Sequence, residues 1–184
     1  MATHGSGVPS PWVQRWTPLV PPGARVLDVA CGGGRHVRWF ADHGAQVTAL
    51  DRDGQALAPL RSLPGVEVVE ADIEGAAWPL PGRRFDAVVV THYLWRPLLP
   101  TVVDSVDLDG VLIYETFAAG NETLGKPSNP DFLLQPGELL RAVPGWHVIA
   151  FEDGYLAGPP ARCVQRIAAV RQAATGGAPR RYLL

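Results

Sequence analysis

Residues 24–34 read Ala-Arg-Val-Leu-Asp-Val-Ala-Cys-Gly-Gly-Gly, and no other stretch restricts the fold as much. Val26, Leu27, Val29 and Ala30 make a short, nearly unbroken apolar run, the pattern of a parallel strand covered on both faces. The run stops at Cys31-Gly32-Gly33-Gly34, and an amphipathic segment from Arg35 to His43 follows directly. Strand, glycine turn and helix in that order open a nucleotide-binding α/β domain. Glycine lets the backbone turn sharply and lets a ligand approach where a Cβ would collide. Asp28 lies inside the apolar run, a costly place for a carboxylate unless something binds it. The spacing is not that of a P-loop, which needs Gly-Lys followed by Ser or Thr. Val37 stands where the dinucleotide fingerprint requires its third glycine, which argues against a nicotinamide-dependent oxidoreductase.

A chain of 184 residues has room for one domain with a sizeable core. The segmentation is a helical lid over 1–23, a core over 24–171 and a flexible tail over 172–184. A formal net charge of -2 argues against a nucleic acid or an anionic membrane as partner, since both select a basic face. Only two cysteines are present, Cys31 and Cys163, far apart in sequence, which fits a reducing cytoplasm rather than a disulfide framework. No run reaches the length of a membrane span and the first residues lack a signal-peptide pattern. The expectation is a soluble, cytoplasmic protein, monomeric or homodimeric, with a small-molecule substrate.

Along the chain, Trp12, Val13, Trp16, Leu19 and Val20 recur at helical spacing, with Ser10 as N-cap and Pro11 at the first helical position. In the helix after the glycines, Val37, Phe40 and Ala41 face inward while Arg35, His36, Arg38 and Asp42 face out; Gly44 ends it. Residues 45–50 form the second strand, closed by Asp51. That carboxylate comes about twenty residues after the glycines, where a doubly wound fold delivers an acid to ribose hydroxyls. Asp53 is the better N-cap for the next helix, which Pro59 shortens. Residues 66–69 and 85–90 form the third and fourth strands, joined by a turn-rich connection. Residues 98–106 form a proline-interrupted helix, Asp109-Gly110 a turn, and 111–117 the fifth strand. The segment 118–135 is too rich in Asn, Gly and Pro for regular structure, and loops of this length are often binding loops; Phe132, Leu133 and Leu134 anchor its return. A short helix starts near Pro136. Residues 146–152 and 162–170, separated by a connection over 154–160, read as an antiparallel hairpin.

An acidic residue followed by Gly-x-Gly-x-Gly resembles the first motif of class I S-adenosylmethionine-dependent methyltransferases, here Asp28, Ala30, Gly32 and Gly34. Ala30 replaces the first glycine, which is tolerable if its φ stays negative. The resemblance implies an α/β fold: a doubly wound, Rossmann-like, seven-stranded, mostly parallel sheet of order 3-2-1-4-5-7-6 with a C-terminal antiparallel hairpin. It implies S-adenosyl-L-methionine as cofactor, held by Asp28, Ala30, Cys31, Gly32, Gly34, Arg35, Asp51, Arg52, Asp72, Ile73 and Thr91, with Asp72 at the adenine amino group. Because ligands of open α/β sheets bind beyond the carboxyl ends of strands, His92 and Tyr93 are the candidate catalytic residues. Trp95, Glu115 and Asn121 are the candidate substrate contacts, and no metal is implied. The pieces Leu27-Asp28, Ala30-Cys31-Gly32, Gly34-Arg35, Glu138-Leu139-Leu140, Gly145-Trp146 and Glu152-Asp153-Gly154 are similar to the tellurite-resistance and thiopurine type, which implies thiols or chalcogen oxyanions as acceptors. No Asn-Pro-Pro-Tyr motif follows the fourth strand, which disfavours exocyclic amines of bases. The expected activity is methyl transfer to a small molecule by in-line displacement; the alternative is a cofactor-binding protein without turnover, which would lack a pocket beside His92.

Overall fold

A computed structural model describes residues 7–172 and 181–183. Its elements are α1 (Pro11–Trp16), β1 (Arg25–Val29), α2 (Arg35–Asp42), β2 (Gln46–Asp51), α3 (Gly54–Leu57), β3 (Val66–Glu70), β4 (Phe85–Thr91), α4 (Leu99–Asp104), β5 (Val106–Phe117), α5 (Glu138–Ala142), β6 (His147–Leu156) and β7 (Arg162–Val170). The seven strands form one sheet in the order β3-β2-β1-β4-β5-β7-β6. Strands β1 to β5 pair in parallel, and β7 pairs antiparallel with both β5 and β6. This is the order the sequence led us to expect.

Local chemistry sets the helix ends. Ser10 Oγ accepts from the Trp12 N–H and Pro11 occupies the first turn, while Asp53 Oδ1 accepts from the N–H groups of Gln55 and Ala56. Beyond α3 the chain tightens into a 3₁₀ turn over Ala58–Leu60, since proline removes a helix donor. Gly44, at φ 80°, ends the turn after α2 in the left-handed conformation that costs glycine least. One sheet face is covered by Trp12, Val13, Trp16, Val37, Phe40, Leu57 and Leu60, and the other by Leu94, Leu98, Val102, Val103, Leu139 and Val143. Burial on both faces explains why β1 and β4 read as continuous apolar runs.

Several expectations change. β5 begins at Val106, and the Asp109-Gly110 turn lies inside the strand: partners of β4 step from Val106 to Val111 between Phe85 and Ala87. A Cβ on Gly110 would stand 3.0 Å from three carbonyl oxygens, so only glycine lets that bulge close. β6 runs on to Leu156, leaving a shorter hairpin connection. Segment 118–135 contains two 3₁₀ turns, Asn121–Thr123 and Pro130–Phe132, and an isolated bridge between Ala118 and Leu134. The beginning of the expected lid, residues 1–6, and most of the expected tail, 173–180 and 184, lie outside the described residues. Among the described residues no helix is long and apolar enough to cross a membrane.

Candidate active site

The carboxyl ends of β1 to β5 converge on one rim of the sheet. At β1 the chain leaves through Ala30, Gly32 and Gly34, with φ of 54°, 54° and 75°. The negative φ expected at Ala30 is therefore corrected. The Cys31 N–H donates to Leu50 O at 3.1 Å and the Gly34 N–H to Cys31 O at 3.0 Å, and the chain curls leftward at Ala30 on its way into these bonds. The methyl group pays roughly 1 kcal/mol for it. At Gly34 a Cβ would lie 2.6 Å from the Leu60 methyl carbons, so this glycine lets α2 start against the Leu60 side chain. The Arg38 guanidinium donates back to the carbonyls of Gly33 and Gly34, fixing the peptide planes of the turn.

Asp51 braces the same turn. Its Oδ2 accepts from the Gly32 N–H at 2.7 Å and its Oδ1 from the Asp53 N–H at 2.9 Å. A carboxylate has about four lone-pair sites, so each oxygen retains one for a ligand. Asp28 is 1% exposed, and its Oδ2 has no hydrogen-bond partner. Burial pushes its carboxyl up to about 8, with the Arg35 guanidinium pulling the other way and the Asp51 carboxylate adding to the rise. Burial likewise raises the Cys31 thiol, which makes it an inert wall of the turn rather than a nucleophile.

Ala30, Asp51, Arg52, Asp72, Ile73 and Tyr93 surround a cleft of about 140 Å³. Asp72 Oδ1 accepts from the Glu74 N–H at 3.0 Å, which squares the loop behind the cleft. Asp28, Cys31, Gly32 and Gly34 form the strand end and turn beside it. Arg35 is drawn to the far side, where its Nη2 donates to His92 Nδ1 at 3.5 Å.

His36 does not face out. It is 2% exposed; its Nε2 accepts from the Ser10 N–H at 3.0 Å and its Nδ1 lies 3.4 Å from Thr91 Oγ1. Burial, with Arg35 and His92 adding to it, lowers its pKa to about 3, so the ring is neutral. Ser10 Oγ also donates to Glu115 Oε1 at 2.7 Å. Ser10 thus does more than cap α1, a role visible only once residues 26 and 105 positions away come to meet it.

A second cavity, of about 250 Å³, lies next to the first and is bounded by His92, Tyr93, Leu94, Phe117, Pro127 and Phe132, with Glu74 and Thr116. His92 sits at φ 55°, a left-handed conformation rare outside glycine and typical of functional positions. Its ring lies 5.2 Å from that of Phe117, inclined by 31°. The three expected substrate contacts are elsewhere. Glu115 is 3% exposed and bonded to Arg166 and Ser10. Asn121 is 2% exposed; its Nδ2 donates to Pro127 O and its Oδ1 accepts from the Cys163 N–H. Trp95 packs against the core. The neighbours Thr116 and Pro127 reach the cavity in place of Glu115 and Asn121. Phe132, expected as an anchor, is 42% exposed, while buried Leu133 and Leu134 hold the loop. Arg96 clamps that loop, with bonds to Glu138 and to the carbonyls of Asp131 and Leu133.

Residues 26–107 match the family described as a methyltransferase domain. The chain is 47% identical over 108 residues to a malonyl-[acyl-carrier protein] O-methyltransferase of Enterobacter lignolyticus, covering 52% of this chain and 40% of that protein. It is 37% identical over 89 residues to a ubiquinone biosynthesis O-methyltransferase of Albidiferax ferrireducens, covering 45% of this chain and 34% of that one. The matched segments thus span less than half the length of these curated relatives. Among solved structures, TehB from Haemophilus influenzae superposes with a TM-score of 0.70 at 18% identity, covering 91% of this chain and 63% of that one. By its sheet order the chain has the class I methyltransferase fold, and its residues 26–107, which carry the glycine turn, Asp28, Asp51, Asp72 and His92, match the methyltransferase-domain family.

Proposed function

We propose that the protein is an S-adenosylmethionine-dependent methyltransferase acting on a small molecule. One observation carries the reading: two adjoining cavities at the carboxyl rim of the sheet, one edged by Asp51 and Asp72, the other by His92 and Tyr93. The residues fit the cofactor. Asp28 Oδ2 is buried and unpartnered, and a buried carboxylate in that state gains most from a cationic ligand such as an α-ammonium group. Asp51 offers spare lone pairs to vicinal hydroxyls, and Asp72 with Ile73 forms an acidic and an apolar edge for a purine. When bound, the cofactor supplies a methyl group on a sulfonium, which is an excellent leaving group.

The chain's own contribution is placement. Holding a nucleophile in line about 3–3.5 Å from a reacting carbon is worth up to roughly 7–11 kcal/mol. Arg35 and Phe117 fix the His92 ring from two sides, and the Tyr114 hydroxyl donates to Tyr93 O at 2.8 Å, pinning the loop that carries both catalytic candidates. A binder without turnover would have no use for the cavity beside His92, which favours the enzyme. Cys31 and Cys163 are both free, which supports a reducing, cytoplasmic setting.

Isothermal titration with S-adenosylmethionine and S-adenosylhomocysteine tests the reading. Asp51→Ala loses charge-assisted hydrogen bonds and weakens binding by roughly 10- to 100-fold. His92→Ala keeps binding and loses turnover. Unchanged affinity in Asp51→Ala removes the ribose assignment, and an absence of saturable binding by the unmodified protein removes the function.

A further inference from the structure

The two cavities share a wall, since Glu74 and Tyr93 line both. The chemistry of the second one differs sharply from the first. Leu94, Phe117, Pro127 and Phe132 give it a hydrocarbon and aromatic surface, to which the His92 ring, 5.2 Å from that of Phe117 and inclined to it by 31°, adds a second aromatic plane. Among the described residues, its lining carries one carboxylate, that of Glu74, and neither lysine nor arginine. Arg35 touches His92 Nδ1 but does not line the cavity.

An oxyanion placed there would lose hydration against hydrocarbon and face a carboxylate without a compensating cation. A planar ring gains instead from burial and from offset stacking. Size narrows the choice further. A dry cavity of roughly 150 Å³ accommodates benzene, so about 250 Å³ suits one substituted ring. Besides the His92 imidazole and the Glu74 carboxylate, the hydrogen-bonding side chains among its lining residues are the hydroxyls of Tyr93 and Thr116. The Tyr93 hydroxyl is buried with no partner in bonding geometry, and burial first, then the charge of the nearby Glu74 carboxylate and its capacity to accept from the hydroxyl, raise its pKa. A hydroxyl donor matches oxygen better than sulfur, which is a weak acceptor.

We propose that this cavity takes a single-ring phenol as the methyl acceptor, with Phe117 and Phe132 as its specificity-determining walls and Tyr93 as donor to the reacting oxygen. The proposal rests on the methyltransferase reading and moves the acceptor away from the thiols and chalcogen oxyanions implied by the sequence resemblance. In the transfer the phenolic proton leaves to water. The phenolic oxygen bonds the methyl carbon in the same step, so that no free oxyanion stands in the cavity, as that carbon's bond to the sulfonium sulfur breaks and the electron pair of the broken bond stays on sulfur.

The test uses the full chain saturated with S-adenosylhomocysteine, titrated with catechol, selenite and 2-mercaptoethanol in turn, beside turnover assays with S-adenosylmethionine. Catechol binds and is methylated, and the other two fail to saturate. Phe132→Ala, at an exposed position, weakens catechol binding by about tenfold, the loss expected for one half-buried aromatic wall, and leaves S-adenosylhomocysteine affinity unchanged. Tyr93→Phe keeps catechol binding within a few-fold and lowers kcat by at least about tenfold. Saturation by selenite or 2-mercaptoethanol without catechol binding overturns the proposal, as does catechol affinity indifferent to Phe132→Ala. Failure to bind S-adenosylhomocysteine sinks the methyltransferase reading itself, so the two failures are distinct.

Discussion

Asp28→Asn should make the unliganded protein more stable and a worse binder of its cofactor. Burial raises the Asp28 carboxyl from 3.8 to about 8, so the folded chain holds a proton there that the unfolded chain gives up near pH 4. The stability associated with this group is complete below pH 3.8 and is lost as pH rises towards 8. By pH 7 the loss amounts to about 4 kcal/mol at 1.36 kcal/mol per pH unit, and at pH 4 it has almost vanished. Asparagine keeps the shape and cannot ionise, so the variant escapes this loss. A gain of about 3–4 kcal/mol at pH 7 corresponds to a rise in Tm of roughly 10 °C for a chain of this length. Paired urea and thermal unfolding at pH 7 and pH 4 measure it, and the gain must shrink with pH. Titration of the unmodified protein in buffers of different ionisation enthalpy adds a second reading. A cofactor ammonium beside Asp28 favours its ionised form, so binding at pH 7 releases close to one proton, and Asp28→Asn abolishes that release. A variant equally stable at pH 7, or one whose gain is the same at both pH values, refutes the reasoning.

Two further outcomes follow from the same site. Between pH 6.5 and about 3 the neutral, buried His36 works in the opposite sense: its contribution is intact above pH 6.5 and falls as pH drops, because only the unfolded chain takes up the proton. Over the same window Asp28 acts in the opposite sense, so the Asp28→Asn background isolates His36: there, unfolding free energies from urea at pH 7 and pH 5 should differ by about 2 kcal/mol, and adding His36→Gln, whose amide oxygen still accepts from Ser10, should remove that difference. Ala30→Gly relieves a left-handed alanine, so thermal unfolding should show it at least as stable as the parent, against the usual loss of about 0.5–1 kcal/mol for a glycine in regular structure.

What the sequence disclosed was mostly what neighbours decide. Ser10 and Asp53 cap helices because their oxygens reach N–H groups two or three residues on, and the buried runs of β1 and β4 announce a doubly covered sheet. The order of strands followed from motif order. Asp51 was singled out by its spacing after the glycine turn and Asp72 by the family resemblance, and both line the first cleft. The misses have a different origin. Glu115 and Asn121 look like polar candidates on a functional loop, but Arg166 and the Cys163 backbone, each more than 40 residues away, claim them. His36 occupies a position that helical periodicity gives to solvent, and the N-terminal stretch covers it. The β5 bulge was read as a turn because Asp-Gly favours one, and only the packing of Gly110 against three carbonyls reveals a strand.

Ser10 leaves one practical mark on how the domain is bounded. A single serine grips, through its backbone, the helix that follows the glycine turn and, through its hydroxyl, the strand whose end lines the second cavity. Cutting the chain back to the first strand would strip Glu115 of one of its two side-chain partners and open the His36 ring to water. The smallest piece that keeps both chambers in working shape therefore begins upstream of Ser10, well before the first glycine that announces the fold.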